Sequence, residues 1–212
     1  MAQQASAARP AKQMILVLMT SRSGSSLVAG IFAAHGFDTG GPIVLAAGYY
    51  DTEGRKVTAG YETFENAAVN QFMRDHKTEL KLITGQFCDY IPGVEKCIPP
   101  NGVVKIGVEY LTLFEKLDPM VIAVRRDTVS ISRSLASKRG HPDQASGAEH
   151  VVRSRMMALD RAVRKWNGAW IDVDQIMAGD FSGVKAAFDH HGIPFDEAKA
   201  RACVNPDIWH KW

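Results

Sequence analysis

Short apolar runs alternate with segments of helical periodicity along most of this 212-residue chain. The first apolar run, Met14 to Met19, is long enough for a buried strand and far too short to cross a membrane. Leu27, Ile31 and Ala34 then recur at helical spacing, and Gly36 stands where a left-handed residue would end that helix. The pattern predicts a strand, a short polar loop and a helix.

The same alternation continues through the rest of the chain. Further strands are predicted at residues 82–84, 102–107, 120–124 and a late segment ending at residue 172. Further helices are predicted at residues 61–80, 111–117, 128–137, 144–165 and 181–191. Residues 37–60 are rich in glycine and show little periodicity, which predicts a long loop of the kind that often carries function. Strand–helix alternation predicts an α/β fold with a mainly parallel sheet and helices on both faces.

The loop after the first strand consists of small hydroxyl residues, one glycine and one arginine, in the order Thr20, Ser21, Arg22, Ser23, Gly24, Ser25 and Ser26. Backbone N–H groups in such a loop and in the first helical turn bind anions, and the helix dipole favours negative charge. Arg22 adds forked donors that suit phosphate or sulfate oxygens. An ATP-binding P-loop has Lys after its last Gly, whereas Ser25 follows Gly24 here. The loop predicts an oxyanion site, with a plain strand–helix connection as the alternative.

A second strand–helix junction, at residues 119–137, concentrates positive charge. The predicted strand ends in Arg125-Arg126-Asp127 and leads into a polar helix. Arg126 and Ser134 are eight residues apart, so that both can reach one ligand from the strand end and the second helical turn. Near Asp127 the chain carries five basic residues, namely Arg125, Arg126, Arg133, Lys138 and Arg139. The alternative is a solvated charged face, but this density favours an anion-binding role.

Together the two segments resemble the PAPS-dependent sulfotransferase family, in which the first strand–loop–helix binds the 5′-phosphosulfate of 3′-phosphoadenosine 5′-phosphosulfate (PAPS). The resemblance implies a fold like that of P-loop NTPases, PAPS as co-substrate and no metal ion. It places Arg22 at the family's catalytic Lys or Arg position, and Arg126 and Ser134 at the site of the 3′-phosphate. The nucleotide-binding residues that it implies are Arg22, Ser23, Gly24, Ser25, Ser26, Arg126 and Ser134.

The chain departs from the family at the expected base and at the C-terminus. Small-molecule sulfotransferases carry Lys-x-His after the third strand, whereas this chain has Lys105-Ile106-Gly107. Residues 205–212 do not match the basic, glycine-containing loop that covers the nucleotide in that family. A weaker resemblance, over residues 170–174, is to the late strand and acidic turn of the bacterial members.

The base that deprotonates the acceptor is predicted from a second weak resemblance. Gly60-Tyr61-Glu62 resembles the Gly-aromatic-Glu segment of many small sulfotransferases, and Glu65 lies one predicted helical turn after Glu62. Two carboxylates that share a site raise one pKa, which suits a base. We therefore predict Glu62 and Glu65 as catalytic residues, although Glu62 also suits a helix start. The remaining candidates are Glu109, His35 and Asp127.

The composition is that of a globular protein and gives no sign of a structural metal site or of nucleic-acid binding. Hydrophobic residues make up 46% and charged residues 23%, as in ordinary globular chains, and a net charge of +2 gives no argument for nucleic-acid binding. Three cysteines without ligand spacing indicate reduced thiols and no structural metal. Residues 1–12 are small and polar without an apolar secretion segment, which predicts a loose tail before a single domain at 13–212. The predicted location is cytoplasmic, with no membrane partner.

The predicted activity is the transfer of a sulfuryl group from PAPS to a hydroxyl or amine on a small-molecule or carbohydrate acceptor. Two other classes of function remain open, a P-loop nucleotide kinase and a non-catalytic nucleotide-binding module on the same fold. The sequence identifies neither the acceptor nor the oligomeric state, because specificity in such enzymes resides in variable loops such as residues 37–60.

Overall fold

A computed structural model describes residues 14–20, 23–40, 49–50, 56–57, 66–76, 80, 90–138 and 145–204. The strands in these ranges are β1 (Ile15–Met19), β2 (Tyr49–Tyr50), β3 (Lys56–Val57), β4 (Val103–Gly107), β5 (Met120–Arg125) and β6 (Ala169–Asp172). The α-helices are α1 (Ser25–Ala34), α2 (Ala67–Asp75), α3 (Thr128–Lys138), α4 (Ala145–Lys165), α5 (Val173–Met177), α6 (Ser182–His190) and α7 (Glu197–Ala202). Two 3₁₀ helices span Val94–Cys97 and Val108–Leu117.

Four of the strands form a parallel sheet in the order β4-β1-β5-β6. In its register Met19 lies beside Gly107 on one side, and Arg125 of β5 lies beside Asp172 of β6. From β1 the chain moves outward to β4, and from β5 it moves outward to β6 in the other direction. The sheet therefore has a topological switch point between β1 and β5, the place where open α/β sheets form a crevice at the carboxyl ends of their strands.

Helices cover both faces of the sheet, as the near-continuous apolar strands predict. One face packs Ile15, Val17 and Ile122 against α1, α5 and α6. The other face packs Leu16 and Leu18 against α2, α4 and the 3₁₀ helix Val108–Leu117. The predicted α/β architecture with a parallel sheet between helices is confirmed.

Several predicted elements appear with nearly the expected limits. β1, β5 and α4 follow their apolar patterns, and α1 ends before Gly36 in the left-handed conformation with φ of 92°. The side chains of Cys97 and Cys203 are half-buried, and Sγ of each lies within hydrogen-bond distance of a backbone carbonyl oxygen. Within the described residues, no helix combines the length and apolar character that crossing a membrane requires.

Other predictions need correction. The predicted loop at 37–60 contains the antiparallel pair β2 and β3, whose short strands carry too little periodicity to be recognised. The segment after β4 is a 3₁₀ helix, and α2 spans Ala67–Asp75, behind an Asn66 side chain that accepts a hydrogen bond from the Val69 N–H. The predicted strand at 82–84 lies outside the described residues.

Candidate anion-binding site at the carboxyl edge of the sheet

The two segments singled out by sequence meet at one edge of the sheet. Because β1 and β5 are parallel neighbours, the loop that begins at Thr20 and the turn that begins at Arg126 leave the sheet side by side. The β6–α5 junction lies next along the same edge. These chain segments flank the switch point, where the fold itself favours a ligand site.

Gly24 is the N-cap of α1, and its conformation depends on having no side chain. Its φ is 87°, and a Cβ placed there would lie 2.8 Å from Cγ1 of Val173. Its carbonyl oxygen accepts hydrogen bonds from the N–H groups of Leu27 and Val28. The loop thus packs directly against the first residue of α5, which links it to the β6–α5 junction.

Two hydroxyl groups at the loop, those of Thr20 and Ser23, are buried. Thr20 is 1% exposed and Ser23 is 0% exposed. Neither the Thr20 nor the Ser23 side-chain oxygen has a hydrogen-bond partner within the described part of the chain. A buried polar group without a partner costs about 1–3 kcal/mol, so such groups indicate a ligand or a strained site.

The start of α1 makes further side-chain contacts to both neighbouring elements. The Ser25 hydroxyl donates to Sδ of Met19 at 2.8 Å. Nζ of Lys105 on β4 donates to Oγ of Ser26 at 3.0 Å. A cation from the adjacent strand therefore reaches the N-terminus of the helix, where negative charge on a ligand would also be favoured.

The basic turn after β5 is paired with an acidic turn after β6. Nε of Arg125 donates to Oδ2 of Asp172 at 3.0 Å, and Nε of Arg126 lies 3.4 Å from Oδ1 of Asp174. Oδ2 of Asp174 also accepts a hydrogen bond of 2.6 Å from the N–H of Asp127. The Arg126 side chain is only 13% exposed, and its Nε makes no hydrogen bond to any described group. The cluster places a carboxylate where an anionic ligand would meet this arginine.

A groove of about 540 Å³ opens at this cluster. It lies at the ends of β5 and β6 and is also bordered by the start of α3, by α5 with the residue that follows it, and by one residue of α4. The lining residues are Arg125, Arg126, Asp127, Thr128, Met156, Asp172, Asp174, Gln175 and Ala178. The volume is in the usual range for small-molecule sites. Ser134 is buried on α3 and is not among these lining residues.

The candidate bases among the described residues differ in their hydrogen-bond and ion-pair partners. His35 is the C-cap of α1, and its Nε2 accepts a hydrogen bond from the N–H of Asp196. Asp127 accepts a hydrogen bond from the N–H of Ser130 at the start of α3, and the Ser130 contacts lower the pKa of that carboxyl. Oε1 of Glu109 lies 3.4 Å from a guanidinium nitrogen of Arg155. Arg22, Glu62 and Glu65 lie outside the described residues.

Sequence reasoning missed the contacts that join the two segments. Val173 against Gly24 and Asp174 beside Arg126 connect residues far apart in the chain. The available signal was Asp172-Val173-Asp174 at the end of a strand, since parallel strands place such turns at one edge. Neither a protein-family model nor a curated protein matches this chain. Any assignment of function therefore depends on the residues at this edge of the sheet and on the contacts between them.

Proposed function

We propose that this chain is a PAPS-dependent sulfotransferase on a P-loop-like sulfotransferase fold. Its acceptor is a hydroxyl or amine on a small molecule or carbohydrate. The observation that carries the proposal is the convergence of the Gly24 loop and Arg126 at the switch point of the sheet. A nucleotide with phosphates at both its 5′ and 3′ positions has two anionic groups that match these two segments.

The loop supports the proposal through its donors. The buried hydroxyls of Thr20 and Ser23 are without partners among the described residues, and Lys105 brings a cation to Ser26. Sulfuryl transfer develops negative charge on the bridging oxygen as adenosine 3′,5′-bisphosphate departs, and preorganised donors stabilise such charge. In this proposal Arg22 is the catalytic cation, and residues 23–26 bind the phosphosulfate.

The turn after β5 supports the assignment of the 3′-phosphate. Arg126 is nearly buried, lines the groove and has an Nε without a hydrogen-bond partner in the described structure. A phosphate oxygen is a stronger partner for a guanidinium than a carboxylate held at 3.4 Å. Ser134 stays in the proposal as the second 3′-phosphate ligand, on the helix that begins two residues after Arg126.

The direct test of this function is ligand binding without any acceptor. Thermal unfolding is measured with adenosine 3′,5′-bisphosphate, AMP and ATP–Mg²⁺ at equal concentrations. A ligand that binds only the folded chain stabilises it by RT ln(1 + [L]/Kd), so at equal concentration the tighter ligand raises Tm more. We expect the bisphosphate to raise Tm most, because AMP lacks the 3′-phosphate that Arg126 binds.

The same measurement separates the other two functions. A rise in Tm with ATP–Mg²⁺ and none with the bisphosphate would make the chain a nucleotide kinase. Stabilisation by the bisphosphate without turnover of PAPS across a panel of alcohols and amines would make it a binding module. Turnover of PAPS, followed by the release of adenosine 3′,5′-bisphosphate, supports the transferase.

A further inference from the structure

We infer that Glu109 is the group that takes the proton from the acceptor, an inference that depends on the proposed sulfuryl transfer. Glu109 is the second residue of the 3₁₀ helix that follows β4. Its carboxylate folds back over the strand end, with Oε2 2.7 Å and Cδ 2.8 Å from the position that a Cβ of Gly107 would take. Gly107 is paired in register with Met19, the last residue of β1. Adjacent strands lie about 4.8 Å apart, so this carboxylate stands one strand away from the loop.

The Cβ position of Gly107 also faces the side of the sheet on which α1 packs. Side chains alternate along a strand, so the missing Cβ of Gly107 points to the same face as Lys105, two residues earlier. Lys105 reaches Ser26 at the start of α1 on that face. The Glu109 carboxylate therefore lies beyond the end of β4, at the edge between the face that carries α1 and the face that carries α4. Arg155 contacts Oε1 of Glu109 from α4, at 3.4 Å, and holds the carboxylate at the edge.

The strand order places the proposed 3′-phosphate site and the proposed base on opposite sides of β1. Arg126 follows β5 on one side of β1, and Glu109 follows β4 on the other. With the 3′-phosphate at Arg126 and the phosphosulfate at the loop, the sulfuryl group is directed toward the β4 side. An in-line attack requires the acceptor on the side away from the departing phosphate, which is where Glu109 stands.

In the proposed step, the acceptor oxygen or nitrogen forms a bond to sulfur while the bond from sulfur to the phosphate oxygen breaks. Adenosine 3′,5′-bisphosphate leaves with that electron pair, and the acceptor proton moves to the Glu109 carboxylate and then to solvent. A base placed in this way contributes about 10²–10⁴-fold.

The experiment uses PAPS with two acceptors, water and 2-naphthol, and measures the release of adenosine 3′,5′-bisphosphate. Glu109→Gln is expected to lower kcat by about a hundredfold or more, with an unchanged KM for PAPS. Its matched control is Glu115→Gln on the same 3₁₀ helix. Glu115 also pairs with a cation of α4, Lys165 at 3.2 Å, and its substitution is expected to leave kcat unchanged.

A second variant displaces the carboxylate without removing it. Gly107 has φ of −66° and ψ of 146°, which any residue adopts, so Gly107→Ala is compatible with the backbone. The new methyl group meets the flexible end of Glu109 and pushes the carboxylate aside. We expect kcat to fall about tenfold or more while the Tm shift with adenosine 3′,5′-bisphosphate is retained.

The outcomes separate this inference from the proposed function. Turnover that survives Glu109→Gln but is lost in Glu62→Gln or Glu65→Gln would overturn the role of Glu109 and leave the transferase standing. A wild-type chain that binds the bisphosphate but turns over PAPS with neither of these acceptors nor any of the panel of alcohols and amines is a binding module, which contradicts a base at Glu109. A chain that neither binds the bisphosphate nor turns over PAPS refutes both.

Discussion

Arg126 and Asp174 form an ion pair in which Nε lies 3.4 Å from Oδ1, and the arginine side chain is far more buried than the carboxylate, at 13% against 46% exposure. Asp174 is at the same time held by the N–H of Asp127. An anionic ligand that reaches Arg126 therefore competes with a carboxylate of the protein itself.

Asp174→Asn is expected to raise the affinity for adenosine 3′,5′-bisphosphate about two- to fivefold, because an ion pair whose carboxylate is at the surface is worth up to about 1 kcal/mol. The amide oxygen still accepts from the Asp127 N–H, so the turn is kept. Titration calorimetry measures the change, with AMP as the ligand whose affinity stays the same. Asp189→Asn, which removes the exposed partner of Lys185 on α6, is the control variant. Equal gains for both nucleotides would show that Asp174 acts only through net charge.

Arg126→Ala is expected to weaken adenosine 3′,5′-bisphosphate about ten- to a hundredfold, the effect of losing a charge-assisted contact to phosphate. Affinity for AMP should change little, because AMP carries no 3′-phosphate. The same calorimetric titrations measure both ligands. Equal losses of affinity for the two nucleotides would show that Arg126 does not bind the 3′-phosphate.

Arg22→Ala is expected to lower turnover of PAPS about a hundredfold, because its charge acts mainly in the transition state. Arg22→Lys should keep part of the activity, since the resembling family uses either residue at this position. Steady-state rates are compared with the affinity for adenosine 3′,5′-bisphosphate, which should change much less. Full activity of the alanine variant would show that Arg22 has no catalytic role and that the loop only connects a strand to a helix.

Gly24→Ala is expected to abolish the Tm shift with adenosine 3′,5′-bisphosphate and to lower the free energy of unfolding by about 1–3 kcal/mol. The new Cβ is strained at positive φ and meets Val173 at 2.8 Å. Gly36→Ala is the matched control, since Gly36 has a similar φ but nothing within 4 Å of its Cβ position. Denaturant unfolding measures both variants. An equal loss of stability in the two would leave backbone strain as the whole effect.

His191 is expected to make stability fall in mild acid. Burial and the neighbouring His190 lower the pKa of His191 below its ordinary value, and a contact with the Val121 backbone opposes this shift. The unfolded chain therefore binds a proton more readily, and the free energy of unfolding decreases as pH falls through about 6.5. Urea unfolding between about pH 7.5 and 5.5 measures the slope. His191→Gln should flatten it, whereas substitution of the exposed His150 on α4 should not.

The local pattern of apolar and polar residues was sufficient to predict the strands and helices whose apolar residues recur at regular spacing. β1, and β5 as far as Val124, are apolar because helices cover both sheet faces, and α4 follows its predicted limits almost to the residue. The prediction that the Gly24 loop binds an anion also follows from local chemistry, since small hydroxyl residues precede a helix start. Such features depend on neighbours a few residues away.

The arrangement of the site depends on the tertiary structure. The parallel register that sets Arg125 beside Asp172 also brings Asp174 to Arg126, across a large separation in sequence. Packing of Val173 against Gly24 and the folding of Glu109 over Gly107 depend in the same way on how strands and helices dock. Periodicity reports which face of an element is buried but carries no information about which distant element covers it. Strand order and register supply that information, and with it the relation between the loop, the arginine and the carboxylates.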